Sequence, residues 1–578
     1  MTTGALDRTA VAHVLEQIAA YLELQGENPF RVRALRGAAR AVAGLSAGLA
    51  VAVADGSLAA TKGIGPATLQ IIAELVATGR STLLEELHEA VAPGLVEMLG
   101  ISGLGVTRIR TIHERLAIDS IPDLEEAARD GRLAGLPGFG QKTVDNILKG
   151  IAFLRRASGY RLCHHARQEA EAFREALSGL PGVLEAHVAG EVRRHLEVVQ
   201  QLVVVLVAEG APGEIFRALQ QLPGIDEFAG QDERRVTLRF AGGSAAQVVV
   251  ATPVTLGAVL VQATGSAEHL AALGAQASAR GLTLAGGALW KGSDFVPTPD
   301  EATLYHRLGL AWVPPEMREG RDELVRCAEA TPRLVALEDL RGFLHCHSHY
   351  SDGSPTIREL AEAVRAAGYQ YVGLTDHSRA AAYAGGLSVE DLHRQWAEVD
   401  ATNAAVTGVR VLKGIESDIL ADGSLDYPDD VLAGFDFVIA SIHSRFTLTE
   451  AEMTARVLRA LDHPSMTILG HPTGRLLLSR DPYPIDLEAV FHRAAANGVA
   501  IEINADPHRL DLDWRVLRRA RDLGVTISIG ADAHTVAGIG NNTFGVGIAR
   551  KAGLAPEEIL NTRSAEEFLA FARARRAP

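Results

Sequence analysis

Short apolar stretches in the last third of the chain repeatedly end on a residue able to bind a metal, and that recurrence restricts the fold more than any other feature. YVGLTDH ends at His377, VRVLKGIE at Glu416, FDFVIASIH at His443 and MTILGH at His471, while VTISIGADAH carries Asp532 and His534. Each stretch reads as a buried strand, and helical patterns separate them, which is the order that builds a parallel α/β barrel. In such a barrel the C-terminal strand ends form the functional rim, so these residues are expected on one rim. The segment opens with Leu344-His345-Cys346-His347-Ser348-His349-Tyr350-Ser351-Asp352-Gly353. On a strand, residues two apart project to the same side, so His345 and His347 are expected to point together and Cys346 away.

One such histidine is more often a satisfied or surface side chain than a ligand; the repetition along one rim is what carries the reading. Imidazole with carboxylate and no thiolate suits Zn, Mn or Fe(II) better than Mg or Ca, and a set this large implies more than one ion. Clustered cations activate water and clamp the attacking and leaving oxygens of a phosphate ester. Phosphoester hydrolysis is the chemistry expected here.

A chain of 578 residues is too long for one core, and 47% hydrophobic with 22% charged is ordinary for globular protein, so three to five domains are expected. Cys163, Cys327 and Cys346 are scattered and odd in number, against a disulfide framework and against a cysteine zinc knuckle. MTTGALDRTA has no basic region leading into an apolar one, and no apolar stretch reaches about 18 residues, so a cytoplasmic protein with no membrane partner is expected. The net charge of −15 shows no basic footprint, but it averages over domains and includes the carboxylates of the rim.

The first 85 residues read as short helices, with Arg31, Arg33, Arg36 and Arg40 on an alanine-rich one. Three echoes follow: Lys62-Gly63-Ile64-Gly65-Pro66, Ile101-Ser102-Gly103-Leu104-Gly105 and Leu136-Pro137-Gly138-Phe139-Gly140. Each is the pattern of a helix-hairpin-helix, whose glycines permit a tight turn with backbone N–H groups facing a phosphate. A single Gly-x-Gly also closes ordinary turns; three together favour a sequence-independent binder of the DNA backbone, with Lys62 and Arg33 as candidate contacts. From about Arg161 to Ala251 the runs LEAHVAG, QQLVVVLVAE, RRVTLRF and AQVVVA predict an α+β unit with a mostly antiparallel sheet. A smaller mixed domain and a linker lead into the barrel.

The last domain resembles a PHP domain (polymerase and histidinol phosphatase). That family's motif supplies nine metal ligands, and all nine positions match here: His345, His347, Asp352, His377, Glu416, His443, His471, Asp532 and His534. The resemblance implies a distorted (β/α)7 barrel, a cluster of three ions (Mn, Zn or Fe) and catalysis by these residues. Asp376 and Asp418, beside ligands, are expected to support them. Across nearly its whole length the chain resembles bacterial family X DNA polymerases, through GENPFRVRAL, ATGSAEH and RLGLAWVPPEMRE.

The implied architecture is multidomain α/β. An N-terminal all-α helix-hairpin-helix region (1–85) precedes a fingers-like domain with two further helix-hairpin-helix motifs (86–158). A palm-like α+β domain (159–253), a thumb-like domain (254–322), a linker (323–340) and the PHP barrel (341–578) follow.

The polymerase chemistry of that family needs converging aspartates to hold Mg or Mn. Their positions here read as Gln201, Val203 and Thr237, Glu191 stands where a phosphate-binding Ser is expected, and Gln262-Ala263 replaces an aromatic pair. A carboxylate at Glu191 repels a triphosphate. Glu197 is read as a solvated loop charge rather than a substitute ligand. The expectation is a monomeric DNA repair enzyme with a metal-dependent 3′–5′ exonuclease or 3′-end phosphoesterase, acting on gapped, nicked or 3′-recessed DNA, and an inactive or weak polymerase core. Alternatives are gap-filling polymerisation, a non-catalytic DNA-binding scaffold, and a phosphatase of small metabolites.

Overall fold

The computed structural model describes residues 8–576 apart from 44–48, 62, 102, 223–224 and 241–244. The chain divides into two compact units, Met1–Ser158 and Gly159–Pro578. The first is helical. Its principal helices are α1 (Arg8–Leu24), α2 (Pro29–Ala43), α3 (Pro66–Thr78), α4 (Val106–Leu116) and α5 (Gln141–Ala157). One apolar core runs through it, from Val11 and Leu15 to Ile147 and Ile151.

The second unit opens with a five-stranded sheet of β1 (Val183–Ala189), β2 (Leu202–Ala208), β3 (Ile225–Gln231), β4 (Arg235–Phe240) and β5 (Ala245–Ala251), in the order β1-β2-β5-β4-β3. Only the β2–β5 pair is parallel. Strand β2 is a run of Val and Leu buried along its whole length, as expected of a strand covered on both faces. Helix α6 (Leu256–Thr264) and a three-stranded sheet of residues 283–296 complete this half.

The barrel strands are β6 (Gly342–Cys346), β7 (Tyr371–Leu374), β8 (Arg410–Lys413), β9 (Glu416–Asp418), β10 (Ile439–Ser441), β11 (Ile468–Leu469), β12 (Ala500–Asn504) and β13 (Ile527–Ala533). All pairings are parallel, in the order β8-β7-β6-β13-β12-β11-β10-β9. The two ends of that order are consecutive pieces of one chain segment, separated only by Gly414 and Ile415. Counting that segment once gives seven strands, and the His377–Glu416 bridge joins its second piece to the chain leaving β7, which closes the ring.

Helices enter through capping boxes that the sequence spells out. Thr356 with Glu359 starts α7 (Ile357–Ala366), Ser388 with Asp391 starts α8 (Val389–Ala405), and Thr449 with Glu452 starts α9 (Glu450–Leu461). Near the strand beginnings, Leu344, Tyr371, Phe437 and Ala500 pack on Phe568 and Leu569 of α10 (Ala565–Ala574), which fills that end with apolar side chains. Polar residues collect at the opposite end. Among the described residues no helix is long and apolar enough to cross a membrane.

Candidate metal centre

All nine predicted ligands meet at the C-terminal strand ends of the barrel. Three groupings place their donor atoms within 4.8 Å of one another: His347, Asp352, His377 and His534; His345, His347 and Asp532; and His377, Glu416 and His443. His347 and His377 are each shared between two groupings, so the three form one continuous cluster. His471 joins through Nε2, 2.9 Å from Glu416 Oε1.

The local backbone differs from the alternating strand expected for His345-Cys346-His347. His345 has φ 57°, and the pairing of β6 with β13 shifts register between Leu344 and Cys346. The two imidazoles still converge, with ring centroids 5.5 Å apart, and the Cys346 thiol turns away to donate to the Gly373 carbonyl at 3.4 Å. Asp532 (φ 49°) and His471 (φ 22°) also sit in left-handed backbone that residues with side chains rarely adopt. Three of the predicted ligands thus hold strained conformations that the surrounding barrel must over-determine.

A layer of partners orients the ligands. His345 Nδ1–H donates to Glu502 Oε1 at 2.5 Å, which leaves Nε2 facing the cluster; the other Glu502 oxygen accepts from the His471 backbone N–H at 2.8 Å. His443 Nδ1–H donates to Asp418 at 2.6 Å and directs its Nε2 toward Glu416, 3.2 Å away. His534 Nδ1–H donates to the Asp532 carbonyl, and Asn504 Nδ2 donates to the Asp532 carboxylate at 3.0 Å. Asp376 accepts from the Ser348 N–H, the Ser348 and Ser351 hydroxyls and Gln395, so it fixes the loop after β6. A Cβ at Gly530 would overlap Glu502 Oε1 and press on His345 Cβ; only glycine leaves room for that pair.

Glu502 escaped the sequence reading because AIEIN reads as an ordinary alternating strand. Arg509 also escaped it: its Nε lies 3.5 Å from Asp532 Oδ2, a guanidinium at the edge of the cluster on a loop without a motif.

The fit to cations rests on unmet valence. His345 Nε2 and both ring nitrogens of His347 are buried and make no hydrogen bond among the described residues. Buried polar atoms are rarely left so, and lone pairs converging with carboxylates within 4.8 Å are what a divalent ion requires. The field agrees. Burial, reinforced by the neighbouring His534, pushes His347 down to about 4. For His443 burial opposes protonation, but the Glu416 and Asp418 carboxylates raise it to about 10. Burial likewise opposes ionisation of Glu416 and Asp532, yet the surrounding imidazoles hold both well below the usual carboxylate range. The carboxylates and the shared His347 imidazole are thus already in the forms that bind metal, whereas His443 must give up a proton to do so.

In the helical unit the three Gly-x-Gly turns repeat one geometry. Gly63, Gly103 and Gly138 have φ of 96°, 81° and 85°. Gly65, Gly105 and Gly140 are extended and stand as N-caps of α3, α4 and α5. A Cβ added at Gly65, Gly103, Gly105, Gly138 or Gly140 would meet nothing within 4 Å, so these turns face open space. Arg33 is exposed, its guanidinium 4.6 Å from the Phe30 ring centre, whereas Arg31 and Arg36 are paired to Glu27 and Glu23. Lys62 lies outside the described residues.

The five-stranded sheet corrects two expectations. Strand β5 lies between β2 and β4, so the residue beside Val203 is Gln247, while Thr237 pairs with Gln247 from the far side. Two strands adjacent in sequence need not both adjoin β2, and Thr237 does not converge with Val203. Val203 belongs to an apolar cluster with Ala189, Val205, Val249, Val259 and Leu260. Glu191 accepts from the backbone N–H groups of Gln200 and Gln201. Glu197 is not a solvated charge: it is 4% exposed and paired with Arg475 and Arg515 of the barrel. Arg193 and Arg194 are engaged with Glu301 and Glu319.

A parallel barrel holding a buried multi-histidine centre, attached to a mixed sheet and preceded by hairpin-bearing helices, defines a metal-dependent phosphoesterase built onto a nucleic-acid-binding frame. The PHP domain family matches residues 344–506, and the DNA polymerase beta thumb matches 259–319. A helix-hairpin-helix domain matches 7–81, and a SAM-like helix-hairpin-helix tandem matches 95–152. The DNA polymerase/3′-5′ exonuclease PolX of Bacillus subtilis (strain 168) is 35% identical over 565 residues, 97% of this chain and 98% of that protein. Probable phosphatases of Thermoanaerobacter sp. (strain X514) and Syntrophotalea carbinolica are 29% and 30% identical, covering 38% and 39% of this chain and 90% and 94% of their own. The chain belongs to the PolX family, the bacterial family X DNA polymerases with a C-terminal PHP domain.

Proposed function

We propose that the barrel is a metal-dependent 3′–5′ exonuclease or 3′-end phosphoesterase acting on gapped, nicked or 3′-recessed DNA, in a monomeric protein whose central sheet no longer supports more than weak templated polymerisation. The observation that carries this reading is the continuous cluster of unpartnered buried imidazoles and charged carboxylates on one barrel rim. Its size suits three ions of the Mn, Zn or Fe type, which supply activation of water and neutralisation of phosphate charge when bound.

The chain's own groups divide the remaining work. Glu502 and Asp418 hold His345 and His443 with one nitrogen turned inward. Asp352, about a third exposed, stands where the cluster opens, and Arg509 offers a fixed positive charge to a phosphate entering beside Asp532. The glycine-capped helices of the first unit fit a role in holding the duplex backbone. Weak polymerisation is supported by Val203 in an apolar cluster and by Arg193 and Arg194 held in ion pairs.

The test is hydrolysis of a 3′-recessed duplex with and without Mn, by the wild type and by His345→Ala. Activity that requires Mn and falls at least about a thousandfold in the variant is expected; equal activity in the two proteins sinks the reading. A second reading, gap-filling polymerisation, is favoured by the printed name of the Bacillus subtilis relative. Primer extension on gapped DNA with Mg or Mn separates the two.

A further inference from the structure

Only a few large apolar side chains among the described residues are strongly exposed, and one of them stands over the metal centre. Tyr383 is 73% exposed, yet its ring centroid lies 6.2 Å from that of His377 and 6.4 Å from that of His443. It sits on a single turn of 3-10 helix, Ala382–Ala384, in the loop that leaves β7 after His377.

That loop is pinned at both ends. The Ser378 N–H donates to the Glu416 carbonyl at 3.0 Å and the Leu387 N–H to the His377 carbonyl at 2.9 Å. The Ala380 N–H donates to Asp426 at 2.6 Å, and the Tyr427 hydroxyl to the Leu387 carbonyl at 2.5 Å. Gly386 packs so closely that a Cβ there would overlap the Ser378 carbonyl. The ring is therefore presented by a fixed loop, with most of its surface exposed and its plane inclined by 55° to the His377 ring and 68° to the His443 ring.

We propose that Tyr383 is the platform on which the base of the 3′-terminal nucleotide stacks while that nucleotide's phosphodiester enters the cluster, which makes it a specificity-determining residue for nucleic acid. The inference rests on the nuclease reading above. Every base has a π-face, so an aromatic platform holds single-stranded ends without choosing a sequence, as an exonuclease requires. Arg480 stacks on Phe446 at 4.3 Å and Phe446 on Tyr483 at 6.0 Å, and Tyr483 is buried, so its ring offers no second free face.

The experiment compares two 3′-recessed duplexes in Mn, one ending in thymidine and one ending in an abasic tetrahydrofuran nucleotide, with the full-length protein. The wild type is expected to prefer the base-bearing end by about tenfold in kcat/KM. Tyr383→Ala should lose that preference by falling on the base-bearing end alone, whereas Tyr383→Phe and Tyr383→Trp should keep it. An unchanged preference in Tyr383→Ala, or an equal fall on both ends, overturns the proposal. So does a Tyr383→Phe protein that behaves like Tyr383→Ala, since the hydroxyl would then carry the effect. Failure of the wild type to cleave either end defeats the nuclease reading itself, and this inference with it.

Discussion

Two buried carboxylates in the second unit, Glu301 beside the central sheet and Glu416 in the barrel, are nearly equally hidden and differently served. Glu301 has both oxygens saturated: Arg318 and Arg193 each place two nitrogens on it, and the Trp312 indole N–H adds a further hydrogen bond. Glu416 is surrounded instead by imidazoles, from His345, His377, His443 and His471, in a cluster where several ring nitrogens have no hydrogen-bond partner. A saturated buried charge holds structure, whereas an under-satisfied cluster is a place for something to be added. At the start of β2 the central sheet shows a third outcome, with Val203 packed in an apolar cluster beside Ala189, Val205, Val249, Val259 and Leu260.

Removing the saturated charge should have the largest effect. Glu301→Gln leaves Arg318, fully buried, without its counter-charge, and a loss of about 3 kcal/mol is expected by denaturant unfolding at pH 7. Acidity gives the sign. Burial alone would raise the Glu301 pKa, but Arg318 and Arg193 bring it down to about 2 from a usual 4.5. A carboxyl depressed on folding stabilises above its unfolded value, and that contribution fades as pH falls from about 4.5 through 2. The wild type should lose it over that window, and the variant should lack that part of the slope. A neutral substitution would break the contrast drawn between the two carboxylates.

Glu502→Gln probes the barrel side. The amide oxygen can still accept from His345 Nδ1–H, but its NH2 group cannot accept from the His471 N–H, so one of two orienting bonds is lost. A fall of about 10- to 100-fold in Mn affinity is expected, with the fold intact, read from the Mn dependence of nuclease activity. An unchanged Mn requirement would mean that the nine ligands orient themselves.

The clustering of the nine residues was legible because most of them stand at the ends of apolar runs, and the barrel because such runs alternate with helices. Their supports were not. Glu502 sits inside a strand whose alternation looks ordinary, and Arg509 and Tyr383 lie on loops whose course depends on the closed barrel. Glu197 read as an isolated loop charge because Arg475 and Arg515, its partners, come from a distant part of the chain. Thr237 was misplaced for a related reason. Strand patterning identifies β4 and β5 but does not encode which of them lies against β2, and the order β2-β5-β4 hands that place to Gln247.

The smallest effect is expected where charge is introduced into the central sheet. Gln201→Asp combined with Gln247→Asp places two carboxylates near the start of β2 and leaves Val203 in its apolar cluster. Two Mg ions need more than these two groups. Glu191 remains turned onto the Gln200 and Gln201 N–H groups, a negative charge that these substitutions leave in place. Arg193 and Arg194 remain committed to Glu301 and Glu319, so these two guanidinium groups stay in use as struts. Primer extension on a one-nucleotide gap should therefore stay at the wild-type level in either Mg or Mn. Extension appearing in the double variant alone would place the sheet two substitutions from a working polymerase and remove the contrast with the barrel.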